Sequence, residues 1–193
     1  MERTSQALAA IHAAFADKVR KGSGVPYVAH LYSVMSIVAA YGGQDATRTA
    51  AVLHDIVEDT DWSAARVAAE FGDDVANIVN KVTEDKTLTW AARKAAVVER
   101  AETCCQGVAI VLMADKLDNL LSFIREEGEG EARDAYWAKF NAGREDQFDF
   151  YVKLVRALRG NPRLRGGDVE WSCLRTADLW LELKRALDVF ELQ

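Results

Sequence analysis

Proline is nearly absent from this chain of 193 residues, which holds only Pro26 and Pro162. No proline-, serine- or glycine-rich stretch marks a linker, so one domain is expected for a chain of this length. Cysteine is scarce as well: Cys104, Cys105 and Cys173 are an odd number with no second pair at zinc-knuckle spacing. That argues against a disulfide framework and a thiolate metal site. There is no run of basic residues and the net charge is −6, so nothing would neutralise a series of phosphates on long DNA or RNA. No uninterrupted apolar window of about 18 residues occurs, and Met1-Glu2-Arg3-Thr4 lacks the basic-then-apolar order of a signal peptide. A cytoplasmic protein without a membrane partner is expected. A small anionic substrate stays compatible with the charge, because a local Lys/Arg cluster can oppose the global sign.

Apolar residues, by contrast, make up half the chain and recur at three- and four-residue spacing, as in Leu8, Ile11, Phe15 and Val19, or Val67, Phe71, Val75, Ile78 and Val82. This period predicts helices. Breaks are expected at Lys21 to Pro26, Gly42-Gly43, Gly72-Asp73, Thr83 to Thr87, Gly128 to Gly130 and Gly160 to Gly167. No hairpin dipeptide separates alternating segments, so the expected fold is all-α, a single helical bundle of about eight to nine helices. Residues 1–193 are read as one domain, with 163–193 a C-terminal helical extension. Trp180 and Leu187 in that extension either complete the core or form a homodimer contact. Tyr136, Trp137, Phe140, Phe148, Phe150 and Tyr151 are expected in the core by their helical spacing.

The chemistry-bearing residues begin with the segment Ala50 to Asp59. His54 and Glu58 lie four apart, as do Asp55 and Asp59 on the adjacent side, among small and apolar neighbours. Burying three carboxylates together costs several kcal/mol of solvation per ion unless a cation compensates them. The alternative is a partly exposed acidic surface carrying a satisfied histidine. Two other patterns favour the cation. His30 follows Pro26, whose fixed φ suits a first helical position, and Asp115 directly follows the apolar run Val111 to Ala114. His30, His54, Asp55 and Asp115 then make a mixed nitrogen and oxygen set suited to Mn²⁺, Fe²⁺ or Zn²⁺. The remaining histidine, His12, reads as a surface or core residue of the first helix.

A cation lowers the pKa of a coordinated water, and a nearby carboxylate can orient that water and take its proton. One of Glu58 and Asp59 is expected in this role, and the spacing does not choose between them. Lys18, Arg20 and Lys21 end the first expected helix beside a Gly-rich loop, an arrangement able to present cations and backbone N–H groups to a pyrophosphate. Basic residues favouring a helix C-terminus are the alternative. Asn119 and Ser122 share a helix face with Asp115, whereas Lys116 and Asp118 are expected to point elsewhere, into solvent.

Arg20-Lys21, Pro26-Tyr27 before His30, the run His54-Asp55-Ile56-Val57-Glu58-Asp59-Thr60, Phe71-Gly72 followed by Val82-Thr83, and Asp115-Lys116-Leu117-Asp118-Asn119 together resemble the hydrolase domain of the RelA/SpoT alarmone enzymes. The likeness is specifically to the stand-alone small alarmone hydrolases, the metazoan SpoT homologues, and covers about residues 5 to 160. It implies an HD-type phosphohydrolase domain, one Mn²⁺ on His30, His54, Asp55 and Asp115, and Glu58 and Asp59 handling the attacking water. It further implies Arg20, Lys21, Ser23, Asn119 and Ser122 as substrate contacts, although Gly22 intervenes before Ser23 where the family's loop has none. The implied reaction is hydrolysis of the 3′-pyrophosphate of guanosine 3′,5′-bis(diphosphate), ppGpp, in that direction only. Adenosine alarmones or NADPH are the alternative substrates, and a nucleotide sensor without turnover is the alternative class.

Overall fold

The computed structural model describes residues 2–164 and 175–193. Its secondary structure is helical: α1 (Glu2–Ala14), α2 (Val28–Ala40), α3 (Asp45–Leu53), α4 (Ile56–Asp59), α5 (Ala64–Phe71), α6 (Asp73–Val82), α7 (Trp90–Ala101), α8 (Gln106–Glu126), α9 (Gly130–Trp137), α10 (Arg144–Gly160) and α11 (Thr176–Leu192). Among the described residues the only β pairing is an isolated bridge between Val19 and Pro26. No described helix is long and apolar enough to cross a membrane.

Among the described residues, eleven α-helical segments, ten if α3 and α4 count as one interrupted helix, exceed the expected eight to nine. The surplus has local causes. The chain breaks at Glu102 to Cys105 and at Ala138 to Gly143, where no proline or paired glycine announces it. The first helix also stops earlier than expected, at Ala14. Lys18, Arg20 and Lys21 therefore lie in a loop, and the helix-terminus explanation of their charge does not apply.

Helix α8 organises the molecule. Val108 to Ala114 are buried without interruption, and a helix apolar all round must be enclosed on every side. Its neighbours are α2, α3, α6 and α11. One half of the core joins α8 to α10 and α11, where Leu179, Leu183, Leu187 and Phe190 are buried. The other half lies under α1, α3, α5 and α6, around Ile11, Leu53, Ile56, Val67 and Val79. The C-terminal helix thus belongs to the core: Leu187 is buried, and Trp180 donates its Nε1–H to Val155 O at 3.0 Å. The aromatic stretch packs inward as expected, with Tyr136, Trp137, Phe150 and Tyr151 buried and Phe140 and Phe148 packed against them. His12 lies on the surface, 3.0 Å from the Tyr32 hydroxyl. Cys104 is buried and Cys105 exposed, while Cys173 lies outside the described residues.

Asn161 ties the end of α10 to the end of α7. It is fully buried, donates its amide to Ala101 O at 2.9 Å and Cys104 O at 3.0 Å, and accepts the Arg163 N–H at 2.9 Å. Asn161→Ala strands those carbonyls, so unfolding stability should fall by about 1–3 kcal/mol. The denaturant midpoint measures this, with an unchanged slope expected.

Candidate metal centre and its cavity

The chain between α3 and α4 is built to turn two donors inward. His54 keeps helical dihedrals, but Asp55 moves to φ −97° and ψ −2° and interrupts the helix. The Nδ1 of His54 lies 2.8 Å from Ala51 O. A carbonyl only accepts, so Nδ1 carries the proton and the lone pair sits on Nε2. That Nε2 is buried without a hydrogen-bond partner, which ordinarily costs about 1–3 kcal/mol. It faces Asp55 Oδ2 at 3.2 Å and Asp115 Oδ1 at 3.8 Å. From α2, the Nε2 of His30 reaches the same two oxygens at 3.7 and 3.4 Å. Donor atoms of His30, His54 and Asp115 all fall within 4.8 Å of one another, and Asp55 stands at the edge of this group, its Oδ2 also accepting the Tyr27 hydroxyl at 2.6 Å.

The charges nearby are already matched except here. Glu84, buried, meets Lys94 at 2.6 Å, Arg93 at 3.5 Å and Lys116 at 3.9 Å. Asp59 is paired with both Lys18 and Lys86. Asp118 is paired with Arg20 at 3.1 Å. Asp115 shares Lys116 at 2.6 Å and the Asn119 amide at 2.5 Å, whereas among the described residues Asp55 is paired with the two imidazoles and with no ammonium or guanidinium group. Burial opposes a proton on His54, but the Asp55 and Asp115 carboxylates outweigh it and raise the imidazole's pKa well above the usual value. Burial likewise opposes ionisation of Asp115, and Lys116 with the two imidazoles holds its pKa well down. Two neutral-capable imidazoles, two carboxylates and an orphaned buried nitrogen fit a divalent cation.

Beside this cluster opens a cavity of about 790 Å³. Arg20, Lys21, Glu58, Asp59, Asn119 and Ser122 all line it, so these sequence-derived residues do come together. Glu58 accepts the Glu84 N–H at 3.0 Å on one oxygen, and its other oxygen lies 3.8 Å from Arg93. Burial and the charge of Asp55 raise its pKa. Ser23 stands apart: it is exposed, does not line the cavity, and accepts the Val25 N–H at 3.4 Å. Gly22 explains the shift, because it packs so closely on Glu126 and Tyr136 that a Cβ there would collide with both side chains. The chain then turns through Gly24 at φ +73°.

Lys116 and Asp118 overturn the expectation that they are solvated. Both are buried, Lys116 against Asp115 and Glu84, and Asp118 against His30, Ser33 and Arg20. Lys18, grouped in the sequence with Arg20 and Lys21, lines the cavity with them, and so do three residues to which the sequence assigned no role, Tyr27, Lys86 and Arg93. Of these three only Tyr27 carried a signal, within Pro26-Tyr27; Lys86 and Arg93 are isolated basic residues that only the fold brings together.

A helical scaffold in which α2, the α3–α4 junction and α8 bring histidines and aspartates together beside a cation-lined cavity defines a class of helical proteins with a candidate metal centre. Within that class the chain belongs to the HD-domain family, whose model matches residues 6–147. Among curated relatives, the guanosine-3′,5′-bis(diphosphate) 3′-pyrophosphohydrolase MESH1 of Xenopus tropicalis is 36 % identical over 147 residues, spanning 75 % of this chain and 78 % of the relative. Among solved structures, a metazoan ortholog of SpoT, described as hydrolysing ppGpp and playing a role in starvation responses, superposes with a TM-score of 0.77 at 28 % identity. It covers 100 % of this chain and 98 % of that one. The protein lmo0812 of Listeria monocytogenes EGD-e matches with a TM-score of 0.69 at 29 % identity, over 84 % of this chain and 99 % of that one.

Proposed function

We propose that this protein is a metal-dependent hydrolase that removes the 3′-pyrophosphate of guanosine 3′,5′-bis(diphosphate) and its 5′-triphosphate relative, releasing pyrophosphate and GDP or GTP. The observation that carries the reading is the meeting of the His30, His54 and Asp115 donors, with unpartnered His54 Nε2, beside a cavity lined by Arg20, Lys21 and Glu58. Likeness to the MESH1 enzymes supplies the substrate. His30, His54, Asp55 and Asp115 would hold one cation, Mn²⁺ by family resemblance, with Fe²⁺ or Zn²⁺ compatible with the same donors. When bound, the cation supplies Lewis acidity and lowers the pKa of the attacking water.

The chain's own groups do the rest. Glu58 is the better base, because Asp59 is held by two ammonium groups while one Glu58 oxygen has only distant cationic neighbours. Glu58 takes a proton from water as the water oxygen bonds to the phosphorus nearest the ribose. The bond from that phosphorus to the 3′-oxygen breaks, pyrophosphate departs with the water oxygen, and the proton taken up by Glu58 passes to the 3′-oxygen, which restores the carboxylate. Asp59 keeps Lys18 and Lys86 at the cavity wall, where they favour an anionic substrate. Because the pKa of Glu58 is raised and the base must be ionised, turnover should fall as pH drops through a value above that of an ordinary glutamate. In Glu58→Gln that acid limb should vanish from the rate profile.

Arg20 and Lys21 would bind the departing pyrophosphate, and Asn119 and Ser122 the ribose side. Charge-assisted contacts are roughly twice as strong as neutral ones, so replacing both cations with alanine should raise KM for the tetraphosphate by about 10- to 100-fold. Metal content should not change. Guanosine 5′-diphosphate, which lacks the 3′ group, should compete poorly. Equal competition, or a kinetically normal Arg20→Ala/Lys21→Ala enzyme, would remove the loop from the substrate site.

A further inference from the structure

Asp118 sits one helical turn beyond Asp115 on α8, and both carboxylates face α2, where His30 and Ser33 are likewise one turn apart. Its side chain is 11 % exposed. Oδ2 lies 2.6 Å from Nδ1 of His30 and accepts Nη1 of Arg20 at 3.1 Å, while Oδ1 accepts the Ser33 hydroxyl. An ionised carboxylate has no proton to offer, so at 2.6 Å the hydrogen must be on Nδ1 of His30. The lone pair is then left on Nε2, the nitrogen that faces Asp115 and Asp55. His54 obtains the same tautomer from a backbone carbonyl; His30 obtains it from a side chain alone.

We propose that Asp118 is a positioning residue for the metal centre, fixing the tautomer and ring orientation of His30 and tying that ligand to Arg20 on the cavity wall. This role rests on the metal reading above. The carboxylate makes His30 a more basic donor than a neutral acceptor would. Its shared oxygen also joins the two halves of the site: Arg20 donates to Asp118 through Nη1 and to Asn119 and Ser122 through Nη2, at 3.0 and 3.1 Å. A guanidinium held at three points is presented to the cavity in one orientation.

The test titrates metal-stripped protein with Mn²⁺ against a competing chelator, and records the imidazole N–H protons of the metal-free protein by NMR. Wild type should bind one Mn²⁺ per chain and show a far-downfield His30 Nδ1–H. In Asp118→Leu, Mn²⁺ affinity should fall by about 10- to 100-fold, in line with losing such a partner, and that resonance should disappear. Asp118→Asn keeps an acceptor without the charge, so it should restore part of the affinity and shift the resonance upfield. A folded Asp118→Leu protein with wild-type affinity overturns the role. Should Asp118→Leu fail to fold, Asp118→Asn decides: wild-type affinity and an unmoved resonance overturn it. Wild type that takes up no Mn²⁺ overturns the metal reading and this role together, whereas a normal wild type beside an unaffected variant overturns this role alone.

Discussion

His54→Ala and Asp115→Ala should yield folded protein that is nearly free of metal and without measurable turnover. Each change leaves fewer than four protein donors. The loss in metal affinity should exceed the 10- to 100-fold typical of partners outside the ligand shell, and reach on the order of 10³-fold. His54→Ala also removes the buried nitrogen that has no hydrogen-bond partner, so its metal-free form should lose little stability through polar desolvation. Asp115→Ala behaves differently, because Lys116 and Asn119 lose their shared acceptor. Its metal-free form should therefore be the less stable of the two. Elemental analysis and thermal unfolding of both variants check these expectations, and one full metal per chain in both would remove the site. A cation competes with protons for the lone pair of His54 Nε2, and the Asp55 and Asp115 carboxylates raise that imidazole's pKa. Metal affinity should accordingly increase as pH rises.

Glu58→Gln carries the second large effect. The amide keeps the shape of the side chain and can still accept the Glu84 N–H seen at 3.0 Å, so folding and metal content should stay normal. Turnover should fall by at least about 10²-fold, the scale of losing a general base. Asp59→Asn should also slow the enzyme, but by a different route, since it releases Lys18 and Lys86. The expected signature is a larger change in KM than in turnover number. An active Glu58→Gln enzyme with an inactive Asp59→Asn enzyme would exchange the two roles. Rates and metal content measured on the same preparations separate these outcomes.

The residues that were legible in the sequence are those whose relation is local. His54, Asp55, Glu58 and Asp59 fall within six positions, so they stay on one side of the chain even though the helix breaks between Leu53 and Ile56. Asp115, Asn119 and Ser122 follow the three- and four-residue spacing of a single helix, and that spacing survived intact. Lys116 and Asp118 were misread for the opposite reason. The partners of Asp118, His30 on α2 and Arg20 in the loop before it, are distant in sequence, and Lys116, besides pairing with the adjacent Asp115, reaches Glu84 on the loop after α6. A rule that sends alternate helix faces to solvent fails on a helix enclosed by four others. Ser23 does not join the cavity; the sequence marks the place by the intervening Gly22, and the fold adds that Gly22 lies close against Glu126 and Tyr136. The extra helices arise at breaks with weak signals: residues 102–105 hold no glycine or proline, and residues 138–143 hold only the separated Asn141 and Gly143.

The most direct test of the account follows the products formed from guanosine 3′,5′-bis(diphosphate) by metal-stripped protein before and after Mn²⁺ is restored, with nucleotides and pyrophosphate separated by anion-exchange chromatography. The account predicts no products from the stripped protein, and after reloading GDP and pyrophosphate in equal amounts. Undiminished turnover by stripped protein, or release of single phosphates in place of pyrophosphate, would contradict it.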